Sequence, residues 1–493
     1  MPAEPETFSY GQFEQKILNY IMQNKLIINN DYSYFLSNNS EIKSVLNGCL
    51  RFREKNYYHN RRYKMKLWDG FTEFFQKDTG KFLTGLLPEI KAVLKAKNID
   101  YVVEDNRSKI KFLYESIDKD FGKNWSDEKT IDLYDYQVDF INQVIKYNRG
   151  VIFAPTSSGK SATMVGILKC IPPGTKVLVL QNRLSLASQN YDEIKGWGFE
   201  SVGKLWSGKN EPGDIMVANV QSIAKIEKQL INIQAVLVDE IHDMMSKLPK
   251  AVYRRLKNCG VRVALSATPF KFGETDKVQK YFVKGFFGPV LKTTTTETGI
   301  LTTKELQERK ILSSSKCTFY EVNEPQIPHD IYLDAVTRGI AENHHFHKMV
   351  VKLADKLKGR TLILVDRIAH GDVLNKMIKD SIWVQGKDNI KTRKEVVKIL
   401  QKSKGDVIAI STQQIFNTGI NVYVHNLINA AGGQADHQII QRMGRGLRTA
   451  KDKEILKYYD FIFKINKYLQ QHSEKRIKIL KKEGHEVKIE VFE

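Results

Sequence analysis

Val151-Ile152-Phe153-Ala154-Pro155-Thr156-Ser157-Ser158-Gly159-Lys160-Ser161 is the stretch on which the fold turns. Its last eight residues follow the pattern G-x-x-x-x-G-K-[ST], with Ala154 in the place of the first glycine. A β-rich apolar run precedes them and a helical stretch, 162–168, follows, which is the strand–loop–helix context phosphate binding needs. Small residues let backbone N–H groups face a polyphosphate at the positive end of that helix. Pro155, Thr156, Ser157, Ser158 and Gly159 are therefore candidate ATP-binding residues. Lys160 is expected to reach the β- and γ-phosphates, and Ser161 to hold Mg²⁺ through its hydroxyl. The plain alternative, a Ser/Gly-rich turn ending in Lys-Ser, fits the flanks poorly.

Working outward, apolar strands alternate with helical stretches at 176–180, 215–217, 235–238 and 261–265. That alternation predicts a parallel sheet with helices on its faces. Val238-Asp239-Glu240-Ile241-His242 ends the third of these strands. Asp239 is the candidate second Mg²⁺ residue, acting through water, and Glu240 the candidate base for an attacking water. Two adjacent acids after a strand are common; following the phosphate loop within one α/β unit makes this pair specific. Ser266-Ala267-Thr268 closes the next strand and brings small hydroxyls beside the same site.

A second alternating series, at 361–365, 382–384, 407–411 and 427–430, predicts a second lobe of similar build. It leads to Gln441-Arg442-Met443-Gly444-Arg445-Gly446-Leu447-Arg448. Arg445 and Arg448 fall on one helix face and are candidates to neutralise charge on the transferring phosphoryl group. The catalytic site would then close only where two lobes meet, which is how hydrolysis could drive lobe motion.

Bulk properties agree with a nucleic-acid partner without requiring one. The 493 residues are enough for about three domains. At 42 % hydrophobic, the chain can build sizeable cores, which excludes wholesale disorder. Lys and Arg number 77 against 56 Asp and Glu, a net charge of +21, and such an excess points to a polyanion. Charge alone is equally compatible with a protein that merely carries extra lysine. Cys49, Cys170, Cys259 and Cys317 form no C-x-x-C pair and read as thiols of a reducing compartment. The N-terminus has neither a basic n-region nor an apolar h-region, and no window approaches ~18 uninterrupted apolar residues. No secretory signal or membrane contact is expected, and the expected location is cytoplasmic.

Residues 1–23 combine a Pro/Glu-rich tip with a helical pattern (Phe13, Ile17, Leu18, Ile21, Met22). From 25 to about 105, short apolar runs between polar turns predict a small α+β domain, with a helix over 90–96. Within it, 51–66 carries Arg51, Arg53, Lys55, Arg61, Arg62, Lys64 and Lys66 against Glu54 alone. Phe52, Tyr57, Tyr58 and Tyr63 are interleaved, and Trp68-Asp69-Gly70 follows. Basic groups bind phosphates while aromatic faces stack on bases or sugars. Arg61, Arg62, Lys64 and Trp68 are therefore candidate nucleic-acid contacts; a solvated face over core aromatics is the alternative. Leu133-Tyr134-Asp135-Tyr136-Gln137 opens an amphipathic helix ahead of the phosphate loop, and 105–129 reads as a charged linker. A four-threonine run at 293–296 and a three-serine run at 313–315 bracket an interlobe connection.

Taken together, Gln137, the loop at 154–161, Asp239-Glu240-Ile241-His242, Ser266-Ala267-Thr268 and 441–448 resemble the ordered motifs of superfamily 2 helicases of the DExH type. The resemblance covers about 130–450. It implies two RecA-like parallel-sheet lobes in tandem, preceded by a small α+β N-terminal domain. The implied boundaries are 1–115 for that domain, 116–295 for lobe one, 296–316 for the connection, 317–472 for lobe two and 473–493 for a basic tail. It implies ATP and Mg²⁺ as cofactors, with Gln137 contacting adenine and Gly419 lying near the nucleotide. His242, Ser266, Thr268 and Gln441 are implied to couple hydrolysis to nucleic-acid binding. Arg183, Gln221, Ser222 and Thr412 stand at the strand-contact positions, although Asn182 and Arg183 replace the frequent Pro-Thr and Asn421 replaces a frequent Asp. A nearer likeness, to phage recombination helicases, rests on 61–70 followed by 83–88 and on the basic C-terminal residues. It implies 3′–5′ unwinding and branch migration of branched DNA: Holliday junctions, forks, D-loops and R-loops, the last with RNA in an RNA–DNA hybrid.

Rival readings stay open on sequence alone: a DExH RNA helicase, a double-stranded DNA translocase, or a passive basic nucleic-acid-binding protein with a relict nucleotide site. Intact Lys160, Asp239, Glu240, Arg445 and Arg448 weigh against the last. His344, His345 and His347 form the one metal-like cluster, but with no acidic or cysteine partner nearby a helix start is the simpler reading.

Overall fold

In the computed structural model, the strand Arg149–Phe153 pairs in parallel with Val261–Ser266 on one side and Val290–Leu291 on the other. The described residues are 24–126, 129–270, 276–327, 331–385, 388, 390–403, 405–412, 423–433, 443, 446–447 and 455–492. Among them, eight strands form the first large sheet, in the order Lys209–Glu211, Val202–Trp206, Ile215–Asn219, Val177–Gln181, Ala235–Asp239, Val261–Ser266, Arg149–Phe153, Val290–Leu291. All pairs are parallel except the edge hairpin of Lys209–Glu211 with Val202–Trp206. Helices cover both faces, so Val177–Gln181 and Val261–Ser266 are buried at every residue, as strands of a doubly covered parallel sheet must be.

A second sheet of seven parallel strands runs Ile382–Val384, Val407–Thr412, Arg360–Val365, Asn426–Asn429, Ile455–Phe463, Ser314–Val322, Glu486–Glu490. The chain thus has two RecA-like lobes in tandem behind a small α+β domain. In that domain the four strands Lys81–Leu83, Tyr32–Leu36, Lys25–Ile28 and Val102–Asp105 carry the helices Ser40–Cys49 and Leu87–Ala96. The hairpin of Arg51–Arg53 with Phe71–Glu73 stands beside them.

The N-terminal domain is welded to lobe one. Its core is shared with the lobe-one helix Lys277–Phe287, which contributes Val278, Tyr281 and Phe282. The Phe52 ring lies tilted at 4.3 Å from Tyr281, Phe74 meets Phe282 edge-to-face at 4.8 Å, and Lys284 pairs with Glu89 at 2.8 Å. Backbones come so close that a Cβ at Gly85 would lie 2.0 Å from the Lys284 carbonyl oxygen. Arg149, which is buried, donates to the Asn30 carbonyl at 2.9 Å, so the root of the phosphate-loop strand is tied to the same domain. Buried aromatic and aliphatic surface of this kind stabilises an interface strongly enough to hold it as one body.

Two expectations change. Residues 473–493 are no separate tail: the helix Lys467–Lys482 packs on lobe two and the strand Glu486–Glu490 pairs with Ser314–Val322. Arg476 of that helix is 1 % exposed and held by Asp460 at 2.8 Å. Likewise Ser314 and Ser315 do not edge a connection but begin a nine-residue strand, because alternate residues there face the core. The connection contains the helix Thr303–Glu308, capped by Thr302 and Glu305. Its Arg309 reaches back to lobe one, pairing with Asp135 and lying 5.6 Å from the Tyr136 ring. Residues 1–23, with their helical pattern, lie outside the described residues.

Among the described residues, no group of three or more His, Cys, Asp or Glu is arranged to hold a metal, and no helix is long and apolar enough to cross a membrane. His347 instead stacks on His370 at 4.9 Å inside lobe two. Burial pushes His370 down to about 3 and lowers His347 too, in both cases disfavouring the charged ring. Phe286, Phe287 and Trp197 are buried core side chains.

Candidate ATPase site and nucleic-acid interface

The phosphate loop leaves Phe153, turns through Ser157 and Gly159 in left-handed conformations (φ 66° and 80°) and enters the helix Lys160–Cys170. Gly159 is needed there, since a Cβ would meet the Gln137 amide nitrogen at 2.4 Å. Lys160 lies across the loop, its Nζ donating to the carbonyls of Ala154 (3.3 Å) and Pro155 (3.1 Å). The hydroxyls of Thr156 and Ser158 are buried without a hydrogen-bond partner. Orphaned donors in a backbone cradle at a helix N-terminus are the chemistry that receives phosphate oxygens, so the loop fits a nucleoside triphosphate.

The helix Asp135–Tyr147 braces this loop from behind. Gln137 is 2 % exposed; its amide nitrogen donates to Gly159 O at 3.1 Å and its oxygen accepts the Tyr134 N–H at 2.9 Å. Both ends of the side chain are thus used inside the protein. As the third residue of its helix, Gln137 is placed to cap that helix. Tyr136, which the sequence reading passed over, adds a hydrogen bond from its hydroxyl to Ser158 O at 2.8 Å.

Asp239 ends the central strand next to the loop and accepts the Glu240 N–H at 3.0 Å. Burial and the neighbouring Glu240 raise its carboxyl above the usual carboxylate range, against the pull of Lys160. Glu240 itself stands in the left-handed region at φ 51°, a strained place for a residue with a Cβ, which aims its carboxylate back across the sheet. There Ser266 Oγ donates to Glu240 Oε2 at 3.2 Å, lies 3.0 Å from His242 Nδ1 and accepts the Thr268 N–H at 3.0 Å. His242 Nδ1 is also 3.3 Å from Glu240 Oε2. Ser266 O meanwhile accepts the Ala154 N–H at 3.1 Å, so this network is joined to the phosphate loop through the backbone. The sheet register thus gathers Glu240, His242, Ser266 and Thr268, far apart in sequence, into one hydrogen-bonded unit.

Arg183 begins the helix Leu184–Gly196 and pairs with Asp243 at 3.1 Å, one residue beyond His242. Asp243 escaped sequence reasoning; its position directly after the acid-rich motif is the signal that could have found it. Gln221 is exposed, Ser222 is half-buried, and Thr412 is buried at the end of the strand Val407–Thr412. In the N-terminal domain Arg61, Arg62 and Lys64 form an exposed short helix, while the Trp68 indole N–H is used internally, donating to Phe71 O at 2.7 Å. Gly419, Gln441, Arg445 and Arg448 lie outside the described residues. Their neighbours Met443 and Leu447 are buried, and Leu447 O accepts the Ser313 N–H at 2.8 Å.

Comparison with known proteins places this geometry in context. Residues 130–271 match the family model described as type III restriction enzyme, res subunit. The chain is 23 % identical over 438 residues to the ATP-dependent DNA helicase UvsW of Enterobacteria phage T4, spanning 83 % of this chain and 85 % of that protein. It is 25 % identical over 366 residues to the DNA 3′-5′ translocase XPB2 of Sulfurisphaera tokodaii, spanning 66 % of this chain and 80 % of its relative. The solved structure of the DUF1998 helicase MrfA bound to DNA superposes with a TM-score of 0.52 at 16 % identity, over 78 % of this chain and 53 % of MrfA. That last likeness is one of fold.

Proposed function

We propose that this chain, an ATP-dependent DNA helicase of superfamily 2, acts on branched DNA, unwinding and migrating junctions, forks, D-loops and R-loops with 3′–5′ polarity. One observation carries the motor reading furthest: the unit of Glu240, Ser266, His242 and Thr268, joined by backbone to Ala154 at the phosphate loop and one residue from the Arg183–Asp243 pair. A change at the γ-phosphate has a short bonded route to a residue that faces nucleic acid.

In this reading Lys160 and the loop backbone bind the phosphates, and Ser161 and Asp239 hold Mg²⁺. The ion would supply positive charge that neutralises the phosphates during transfer. Glu240 takes the proton of the attacking water; Ser266 and His242 orient its carboxylate. Arg445 and Arg448, brought from lobe two, neutralise the charge that develops on the transferring group, and Gln441 and Gly419 complete the interlobe side. Arg183, Gln221, Ser222 and Thr412 hold the tracked strand. The N-terminal patch of Arg61, Arg62, Lys64 and Trp68 holds the branched part of the substrate, and the cytoplasm is the compartment. The match to a restriction-subunit model favours one second reading, translocation on duplex DNA without strand separation.

The branched-DNA part is tested by replacing Arg61, Arg62 and Lys64 with Ala. Each phosphate contact contributes roughly 0.9 to the slope of log affinity on log salt. The expected result is at least a ~10-fold loss of affinity for a four-way junction and a slope flattened by about 3. An unchanged slope returns the patch to an ordinary solvated face.

A further inference from the structure

The seam between the N-terminal domain and lobe one carries a groove that meets the motor motifs only at His242 and Asp243. It encloses about 500 Å³ between Lys55 and Asn56 on one side and Asp243, Lys250, Gln279 and Phe282 on the other. A second cleft of about 410 Å³, lined by Arg51, Arg53, Lys55 and Lys277, adjoins it and shares Lys55 and Asp276 with it. The Arg51–Asp69 ion pair then leads to a third of about 680 Å³, lined by Tyr58, Tyr63, Lys64, Lys66 and Trp68. The three form one strip running from the N-terminal patch to the edge of the ATPase motif.

Across the first two clefts the basic side chains Arg51, Arg53, Lys55, Lys250 and Lys277 outnumber the acids Glu54, Asp243 and Asp276, each of which is also held by a protein donor. Glu54 accepts from Thr72 Oγ1 at 2.6 Å, Asp276 accepts the Gln279 N–H at 2.9 Å, and Asp243 holds Arg183 at 3.1 Å. Lys250 Nζ lies 3.7 Å from the Phe282 ring centroid and Lys277 Nζ 5.7 Å from that of Phe52. A lysine against an aromatic face is positioned yet keeps ammonium hydrogens to donate. Beneath the strip Phe52, Phe74, Tyr281 and Phe282 pack together across the seam between its halves.

We propose that this strip binds the phosphate backbone of the duplex arm of a branched DNA, through Lys55, Lys250 and Lys277. The inference rests on the branched-DNA reading above and adds where the arm lies. The groove ends at Asp243, which holds Arg183, the first contact assigned to the tracked strand. Phosphates just beyond a tracked strand at a junction are those of the adjoining arm, and the basic strip begins at that point.

The test uses the full chain with Lys55→Ala, Lys250→Ala and Lys277→Ala combined. Affinity is measured over a salt series for a fork with one duplex arm and for a single strand of the same length. Fork affinity is expected to fall at least ~10-fold, with the salt slope lower by about one per lysine and single-strand affinity within about twofold. The corresponding triple Lys→Arg variant is expected to keep the parental slope, which separates loss of charge from loss of fold. Unchanged fork affinity overturns the proposal, and so does an equal loss on the single strand, which would make the groove part of the tracked path. ATP turnover of the parent chain is read on the same DNAs. Stimulation by the fork together with an unaltered variant sinks this inference alone; absence of stimulation by the fork sinks the underlying reading.

Discussion

Lys160→Ala and Glu240→Gln are each expected to cut nucleic-acid-stimulated ATP turnover by at least ~100-fold while DNA binding stays largely intact. Lys160 is the cation of the phosphate loop, lying over the carbonyls of Ala154 and Pro155. Its removal takes away the charge that the transferring phosphoryl group meets. Glu240→Gln is the sharper of the two. The amide oxygen can still accept from Ser266 Oγ, and glutamine is no worse than glutamate at φ 51°, so geometry is kept and only proton acceptance is lost. Stopped turnover with an unchanged DNA affinity separates chemistry from folding. Undiminished turnover in either variant contradicts the site assignment.

The second large effect is on stability. Arg476→Met is expected to destabilise lobe two by about 3–5 kcal/mol. The guanidinium makes two bonds to Asp460, at 2.9 and 2.8 Å, and donates to the carbonyls of Phe461 and Gly433, both at 2.9 Å. Asp460 is fully buried and also accepts from Asn429 Nδ2 at 2.8 Å and Tyr458 OH at 2.7 Å. Burial works against the charge on Arg476, yet Asp460 outweighs it and raises its pKa. Removing the arginine leaves a carboxylate in the core with neutral donors alone, and that uncompensated charge is what costs so much. Removing both charges, Arg476→Met with Asp460→Asn, should recover part of the loss. Hydrogen exchange of the strand Ile455–Phe463 under mild denaturant reads this locally, which matters in a chain with several cores. Protection unchanged within about 1 kcal/mol contradicts the account.

The contrast between these residues marks what could be seen in the sequence. Both parallel sheets were legible because strands covered on two faces are continuous apolar runs, as in Val177–Gln181 and Arg360–Val365. The phosphate loop and the acid pair were legible because their chemistry is compressed into a few adjacent residues. Arg476 was not: within the basic run 473–488 it looks like any solvated lysine or arginine, and its partner Asp460 lies on a strand sixteen residues earlier. Ser314 and Ser315 misled for a related reason, since a serine run reads as a break unless the strand it pairs with, Ile455–Phe463, is already known. Gln137 was found, but its bracing of Gly159 and Tyr134 follows from helix capping in three dimensions. The seam groove had no sequence signal, because its walls come from residues about 200 positions apart that meet only through the packing of Phe52 and Tyr281.

The central claim, a DNA motor directed at branched substrates, is tested most directly by ATP turnover of the purified chain on a nucleic-acid panel at one fixed salt. The panel holds a single strand, plain duplex, a four-way junction, an R-loop and structured RNA. The greatest stimulation is expected with the branched DNAs, as a motor directed at branched substrates requires. Stimulation by RNA alone, or by none of the five, would contradict that claim.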